Sequence, residues 1–307
     1  MIHRIISCII RTIVVSFLIW IVLSTILPQW YQKYTNKEIQ TGKFKSSSYP
    51  YSSLKAPKTN PIQNSLVYFI IAHPDDEVMF FSPSLIESIK PKNNNRVKLI
   101  CLSNGDFLGE SMGKIRTKEL YRSAQILGLQ KEDVTILSSF KDGMNETWSV
   151  DDILNELKNY IEFDNDKLTS LITFDEKGIS SHPNHIAAYY GTRRFMNRNA
   201  DKSVKMYALK SFNFWEKYSF TLLTNLELFL EHATRLIGNF SRINIHIRLT
   251  NRNIDGSSIK YYADLNMLSV GYAAMSYGHF SQMIWFRYGW LVLSRYLTMN
   301  HLIQIYI

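Results

Sequence analysis

The stretch Ala72-His73-Pro74-Asp75-Asp76-Glu77 sets an imidazole and three carboxylates directly after an apolar run, Leu66 to Ala72. In an open α/β sheet the loop beyond a strand's carboxyl end is where ligands bind. Charged groups crowded there are costly unless they hold a cation, make strong hydrogen bonds or face water. Metal ligation accounts for them economically. With His73 and one aspartate on a cation, the neighbouring aspartate points elsewhere and is free to take a proton from water. A plainer reading is open to the same residues: an acidic first helical turn favoured by the helix dipole, with His73 at the surface.

A second cluster, His182-Pro183-Asn184-His185, follows another predicted strand and a short loop, and opens a helical pattern running toward Arg198. A nitrogen ligand from His185 would complete a site of three protein ligands with an open position for water, the arrangement expected of catalytic zinc. His182 is then placed to donate a hydrogen bond or a proton. Either cluster alone fits a turn or a helix cap. Together, each after a buried strand, they supply the ligands, base and acid that metal-assisted amide hydrolysis requires.

The elements around them alternate. Leu66 to Ala72, Val97 to Ser103, Val134 to Leu137, Leu171 to Phe174 and Val204 to Leu209 are short β-branched or aromatic runs that predict buried strands. Between them, Val150, Ile153, Leu154, Leu157 and Ile161 fall on one helical face, and Lys114 to Leu127 aligns Leu120, Ala124 and Leu127 in the same way. Such alternation predicts an open α/β fold with a mostly parallel sheet covered by helices. Ile243, Ile245, Ile247 and Leu249 alternate with polar neighbours, which predicts a half-buried edge strand. There is no internal repeat, P-loop or dinucleotide fingerprint, and Asn104-Gly105-Asp106 reads only as a turn.

The 307 residues suffice for one large domain or two small ones, and 46% hydrophobic with 20% charged content argues against wholesale disorder and against a polytopic membrane protein. A net charge of +9 suits an acidic partner without choosing among nucleic acid, anionic lipid and a phosphate-bearing substrate. Two cysteines, Cys8 and Cys101, make a disulfide framework improbable and a reducing compartment the simpler reading.

Residues 5–27 are almost wholly apolar, interrupted by Arg11, and at about 1.5 Å per residue they can span a bilayer core of roughly 30 Å. Ser24-Thr25-Ile26-Leu27-Pro28 lacks the small-x-small pattern of a cleavage site, so an uncleaved anchor is expected. Arg4 precedes the span, whereas Lys33, Lys37, Lys43, Lys45, Lys55 and Lys58 follow it. The positive-inside rule then leaves residues 1–4 as a short lumenal terminus and the body in the cytosol. Residues 28–63 read as a polar, basic linker and 64–307 as the catalytic domain. Sequons at Asn145-Glu146-Thr147 and Asn239-Phe240-Ser241 are expected to stay unmodified in this topology. The aromatic segment Met283 to Leu297, broken by Arg287 and Arg295, is too charged for an easy second span; it is expected to pack on the core, with contact at the membrane interface as the alternative.

The pair HPDDE and HPNH after successive strands resembles the PIG-L or LmbE-like family of zinc-dependent sugar deacetylases. The likeness extends through Ser103-Asn104-Gly105-Asp106 and Arg116-Thr117-Lys118-Glu119-Leu120, and covers roughly Ser65 onward. It implies a Rossmann-like fold with helices on both faces. Carried over by motif position, it implies His73, Asp76 and His185 as metal ligands, Asp75 as general base and His182 as the group that stabilises or protonates the tetrahedral intermediate. The metal implied is zinc, although this donor set also tolerates iron, cobalt or manganese. Arg116 is a candidate substrate contact, with a structural ion-pairing role at least as fitting. The stretch Gly278-His279-Phe280-Ser281-Gln282-Met283-Ile284-Trp285-Phe286-Arg287 also resembles the eukaryotic membrane branch, which acts on N-acetylglucosaminyl-phosphatidylinositol at the endoplasmic reticulum. That places His279 near substrate, against a buried structural histidine as the plainer reading. The resemblance thus implies a phospholipid-linked sugar and a membrane as partners, not nucleic acid. A deacetylase of another N-acetyl sugar and a non-catalytic membrane scaffold remain the rival readings.

Overall fold

A computed structural model describes residues 2–30, 62–200, 202–241 and 258–306. Its centre is a seven-stranded sheet of β1 (Ser65–Ile71), β2 (Arg96–Cys101), β3 (Val134–Ile136), β4 (Leu168–Phe174), β5 (Val204–Leu209), β6 (Ser258–Tyr262) and β7 (Met299–Ile305), in the order β3-β2-β1-β4-β5-β7-β6. The first five strands are parallel, and β7 runs antiparallel to both β5 and β6. Every residue of β1 is buried, which is why a central parallel strand reads as one apolar run instead of alternating. The five predicted strands are therefore present as β1 to β5. The predicted edge strand at 243–249 lies outside the described residues.

Strand order reverses at β1. From there β2 and β3 extend the sheet one way, while β4 and β5 extend it the other. The crevice outside the carboxyl ends of β1 and β4 is thus the topological switch point, where open α/β sheets bind ligands. HPDDE follows β1 and HPNH follows β4 by a short loop, so both motifs reach the same crevice.

Around the sheet lie α1 (Ile2–Ile21), α2 (Asp76–Met79), α3 (Ser82–Ile89), α4 (Glu110–Leu127), α5 (Val150–Tyr160), α6 (Pro183–Arg198), α7 (Thr221–Ser241), α8 (Leu265–Ala273) and α9 (Trp285–Leu293). Ser149 caps α5 by accepting from the Asp152 amide at 3.3 Å, and Ile153, Leu154 and Leu157 bury its apolar face. Gly191 of α6 permits close contact there, since a Cβ at that position would lie 2.3 Å from Ile153. Asn300 of β7 accepts from the Ser84 amide at 3.0 Å and donates to the Phe80 carbonyl at 2.7 Å, pinning the α2–α3 junction from behind.

Helix α1 continues through a π-helical turn (Val22–Ile26) to Trp30, and His3–Trp30 is long and apolar enough, by length and composition, to cross a membrane. One face of it is docked on the domain. Trp20, Ser16, Ser24 and Thr25 are buried; Ser16 Oγ lies 2.7 Å from Thr221 Oγ1, and Thr25 Oγ1 accepts from the Leu265 amide at 3.0 Å. The described part of the chain therefore holds this helix against α7 and α8. Apart from its first and last few residues, the predicted linker 28–63 lies outside the described residues.

Candidate active site

Beyond β1 the chain turns so sharply that Asp75 adopts φ 131°, a conformation side chains with a Cβ rarely take. The turn delivers Asp76 to the start of α2. Its Oδ2 accepts from the backbone amides of Ala72 at 3.1 Å and His73 at 2.8 Å, while Oδ1 lies 3.2 Å from His185 Nε2. His73 Nδ1 stands 3.6 Å from Oδ2. Burial alone would raise the Asp76 pKa, but the His185 and His73 imidazoles and the His73 amide outweigh it and hold the carboxyl below its ordinary range.

Hydrogen bonds on the far side of each ring set the free nitrogen. His185, in the first turn of α6 and stacked 3.9 Å from the Phe174 ring, donates Nδ1–H to the Gly178 carbonyl at 2.9 Å, which leaves Nε2 bare toward Asp76. His73 Nε2 lies 3.0 Å from Asn184 Oδ1 and 3.2 Å from Asp142 Oδ1, so it carries the proton and leaves Nδ1 bare. Two imidazoles oriented by outer acceptors and facing one buried carboxylate match the chemistry of a divalent-cation site, with donors zinc accepts. His182 differs. Its Nδ1 accepts from the Asn184 amide at 3.3 Å, which puts the proton on Nε2 in the neutral ring. Burial, reinforced by His185 and His73, pushes its pKa down to about 4, so near neutrality it is an uncharged donor. One ring nitrogen from each of His73, His182 and His185 lies within 4.8 Å of the other two.

Asp75 is held from several directions. Its amide donates to Glu77 Oε2 at 3.0 Å, and its Oδ2 accepts from Arg287 Nη2 at 2.6 Å, with Arg116 Nη2 at 3.7 Å. Glu77 is wholly buried and its Oε1 accepts from Ser123 Oγ and His279 Nε2, each at 2.6 Å. His279 is 0% exposed, lies behind Glu77 and takes its second hydrogen bond from Gln282 Nε2 at 3.0 Å. It does not reach the cleft. Arg116 donates to the carbonyls of Pro74 at 2.8 Å and Gly105 at 3.1 Å and to Asp142 Oδ2 at 2.6 Å, tying three loops together. Although burial opposes its charge, Asp75 and Asp142 raise its pKa further, so it stays protonated.

The structure thus gathers His73, Asp75, Asp76, His182 and His185 in one cleft of about 720 Å³, with Arg116 in its wall. It also brings in residues to which the sequence reading assigned no role. Glu77 and Asn184 sit inside the two motifs, and Arg287 inside the C-terminal stretch, so position pointed to them without revealing a task. Asp142 follows no motif or periodic face and had no signal.

A histidine and carboxylate centre at the switch point of a mostly parallel sheet defines an α/β protein with a cleft furnished for hydrolytic chemistry. The PIG-L family profile, described as GlcNAc-PI de-N-acetylase, matches residues 68–196. A probable N-acetylglucosaminyl-phosphatidylinositol de-N-acetylase of Schizosaccharomyces pombe is 38% identical over 236 residues, covering 76% of this chain and 84% of that one. The N-acetylglucosaminyl-phosphatidylinositol de-N-acetylase of Saccharomyces cerevisiae is 33% identical over 250 residues, covering 76% and 79%, and that of Arthroderma benhamiae is 30% identical over 292 residues, covering 78% and 87%. The chain belongs to the PIG-L family and is an enzyme of the deacetylase class.

Proposed function

We propose that the chain hydrolyses the N-acetyl group of N-acetylglucosaminyl-phosphatidylinositol, giving glucosaminyl-phosphatidylinositol and acetate, in glycosylphosphatidylinositol-anchor biosynthesis. The observation that carries this reading is the meeting of His73, Asp76 and His185 beside Asp75 and His182 in one cleft, in a chain whose relatives bear that activity in their names. His73, Asp76 and His185 would hold a divalent metal, zinc first among the candidates. When bound, it supplies Lewis acidity to a water and to the acetamide carbonyl.

The remaining roles fall to this chain's own groups. Asp75 takes the proton from the attacking water, with Arg287 fixing its carboxylate through Oδ2. His182 offers Nε2–H to the developing oxyanion as a neutral donor, in keeping with its depressed pKa. The proton held at Asp75 then passes to the departing nitrogen. Arg116 and Glu77 position: one ties the Pro74 carbonyl to Gly105 and Asp142, the other holds the Asp75 amide. Helix α1 anchors the enzyme at the endoplasmic reticulum membrane with its body in the cytosol.

Acetate release from phosphatidylinositol-linked N-acetylglucosamine, lost on chelation and restored by added zinc, is the expected result. Equal or faster turnover of water-soluble N-acetyl sugars would assign the site to another substrate, and glycan on Asn145 or Asn239 would reverse the topology.

A further inference from the structure

The outer surfaces of α7 over residues 221–233 and of α9 are apolar where a helix facing water would be polar. Leu222, Leu226 and Phe229 form an i, i+4, i+7 stripe on α7, and Phe229 is 60% exposed. Trp285, Tyr288 and Val292 form the matching stripe on α9, and Trp285 is 85% exposed. Leu222 of the first stripe and Leu293 beside the second line one cavity, and large apolar side chains exposed together in this way mark a binding face.

Its neighbour is α1. Cys8, Ile9, Thr12 and Ser16 share the walls of one cavity with Phe220, Leu222 and Leu293, so the start of α7 and the end of α9 abut α1 between residues 8 and 16. That stretch lies well inside the apolar span His3–Trp30. Were α1 to cross a bilayer, this junction would sit at hydrocarbon depth and could not face water. The other end of α9 reaches the cleft, whose lining Ile284, Phe286 and Arg287 share with the exposed Phe107 and Leu108. Nine residues at 1.5 Å make that distance about 13 Å.

We propose that α1, α7 and α9 form one bilayer-embedded face, so that the domain enters the membrane by its edge and the catalytic cleft opens at the lipid surface. The occupant of the face is acyl chain, because the face is continuous with a helix of membrane-spanning length and shares its apolar exterior. A lipid-linked sugar then reaches the site without leaving the bilayer. This deepens the membrane placement proposed above and rests on α1 lying in lipid.

The test uses the full chain in liposomes, in a Cys8→Ser background, Cys101 being buried. A polarity-sensitive fluorophore is attached to single cysteines at Ile10→Cys, Phe229→Cys, Trp285→Cys and Glu132→Cys, and lipids brominated along the acyl chain serve as quencher. Quenching at 229 and 285 comparable to that at 10, with none at 132, is expected. Quenching at 10 alone leaves the anchor standing and overturns the embedded face, including the case in which 229 and 285 are bright but covered by protein. Quenching at none removes the anchor as well. In a second arm, Trp285→Asp should slow acetate release from bilayer-borne substrate about tenfold or more, while a short-chain soluble analogue stays within about twofold. Equal losses on both substrates would place the effect in the cleft and overturn the proposal.

Discussion

Asp75 combines a charge with a strained backbone, and the two can be separated. At φ 131° and ψ −22° an L residue bears a cost of about 1–3 kcal/mol. The neighbours that hold it there are the Glu77 carboxylate on its amide and Arg287 on its side chain. Asp75→Asn keeps shape and removes charge; Asp75→Ala removes the carboxylate and keeps a Cβ; Asp75→Gly removes both carboxylate and strain. If Asp75 is the base, all three lose about 10²- to 10⁴-fold in acetate release, or roughly 3–5 kcal/mol of barrier. Stability should order differently. The two arginines lose the same partner in the Ala and Gly variants, so their difference reports the backbone alone, about 1 kcal/mol in favour of Gly and about 2–4 °C in melting temperature. Acetate release and thermal unfolding in matched detergent measure both. An Asn variant retaining more than about a tenth of wild-type turnover refutes the role of base, and an Ala variant as stable as Gly refutes the strain.

Elemental analysis of variants separates ligand from donor: His185→Ala should lose bound metal, whereas His182→Ala should retain it and lose about 10²- to 10³-fold in turnover. Gly105→Ala should lower activity about tenfold or more without altering any ionisable group, because its Cβ would lie 2.6 Å from the Arg116 guanidinium and φ is +76°; unchanged kinetics would show that the Arg116 tie is dispensable. Burial pushes the His301 pKa down to about 3, well under the ordinary 6.5. An unfolded chain therefore takes up a proton below pH 6.5 that the folded one refuses. Stability from this group is complete above that pH and falls by about 1 kcal/mol per unit toward pH 3. Melting temperature between pH 7 and 4 should drop less steeply in a His301→Gln variant than in the parent.

What could be read in advance follows the range of the interactions. Strand β1 was legible because burial on both faces makes it one apolar stretch, and β2 to β5 because each holds a short β-branched or aromatic run even where Lys98, Thr135, Ser170 or Lys205 breaks it. Strand β7 was not: Asn300, His301 and Gln304 interrupt it, and its pairing with β5 and β6 is a tertiary fact. The HPDDE and HPNH motifs were legible because each is a compact local signal. Arg287 was not, since it meets Asp75 from 212 residues away and its sequence context shows only a charge among aromatic residues. For Arg116 and His279 the type was visible but the task was not; only their partners place one as a tie between loops and the other behind Glu77. In the N-terminal helix and its π-helical turn, the buried Ser16 and Thr25 gain meaning only once Thr221 of α7 and the Leu265 amide of α8 lie against them.

Strand β7 is translated after the other six, yet it sits between β5 and β6 and supplies the Asn300 side chain that braces Phe80 and Ser84. During synthesis, therefore, every reactive group is already made before the strand that buttresses the first catalytic loop exists. Maturation of the enzyme waits on threading of that late segment, and a premature stop codon before Met299 would yield an inert product even though it spares every residue that touches the cleft.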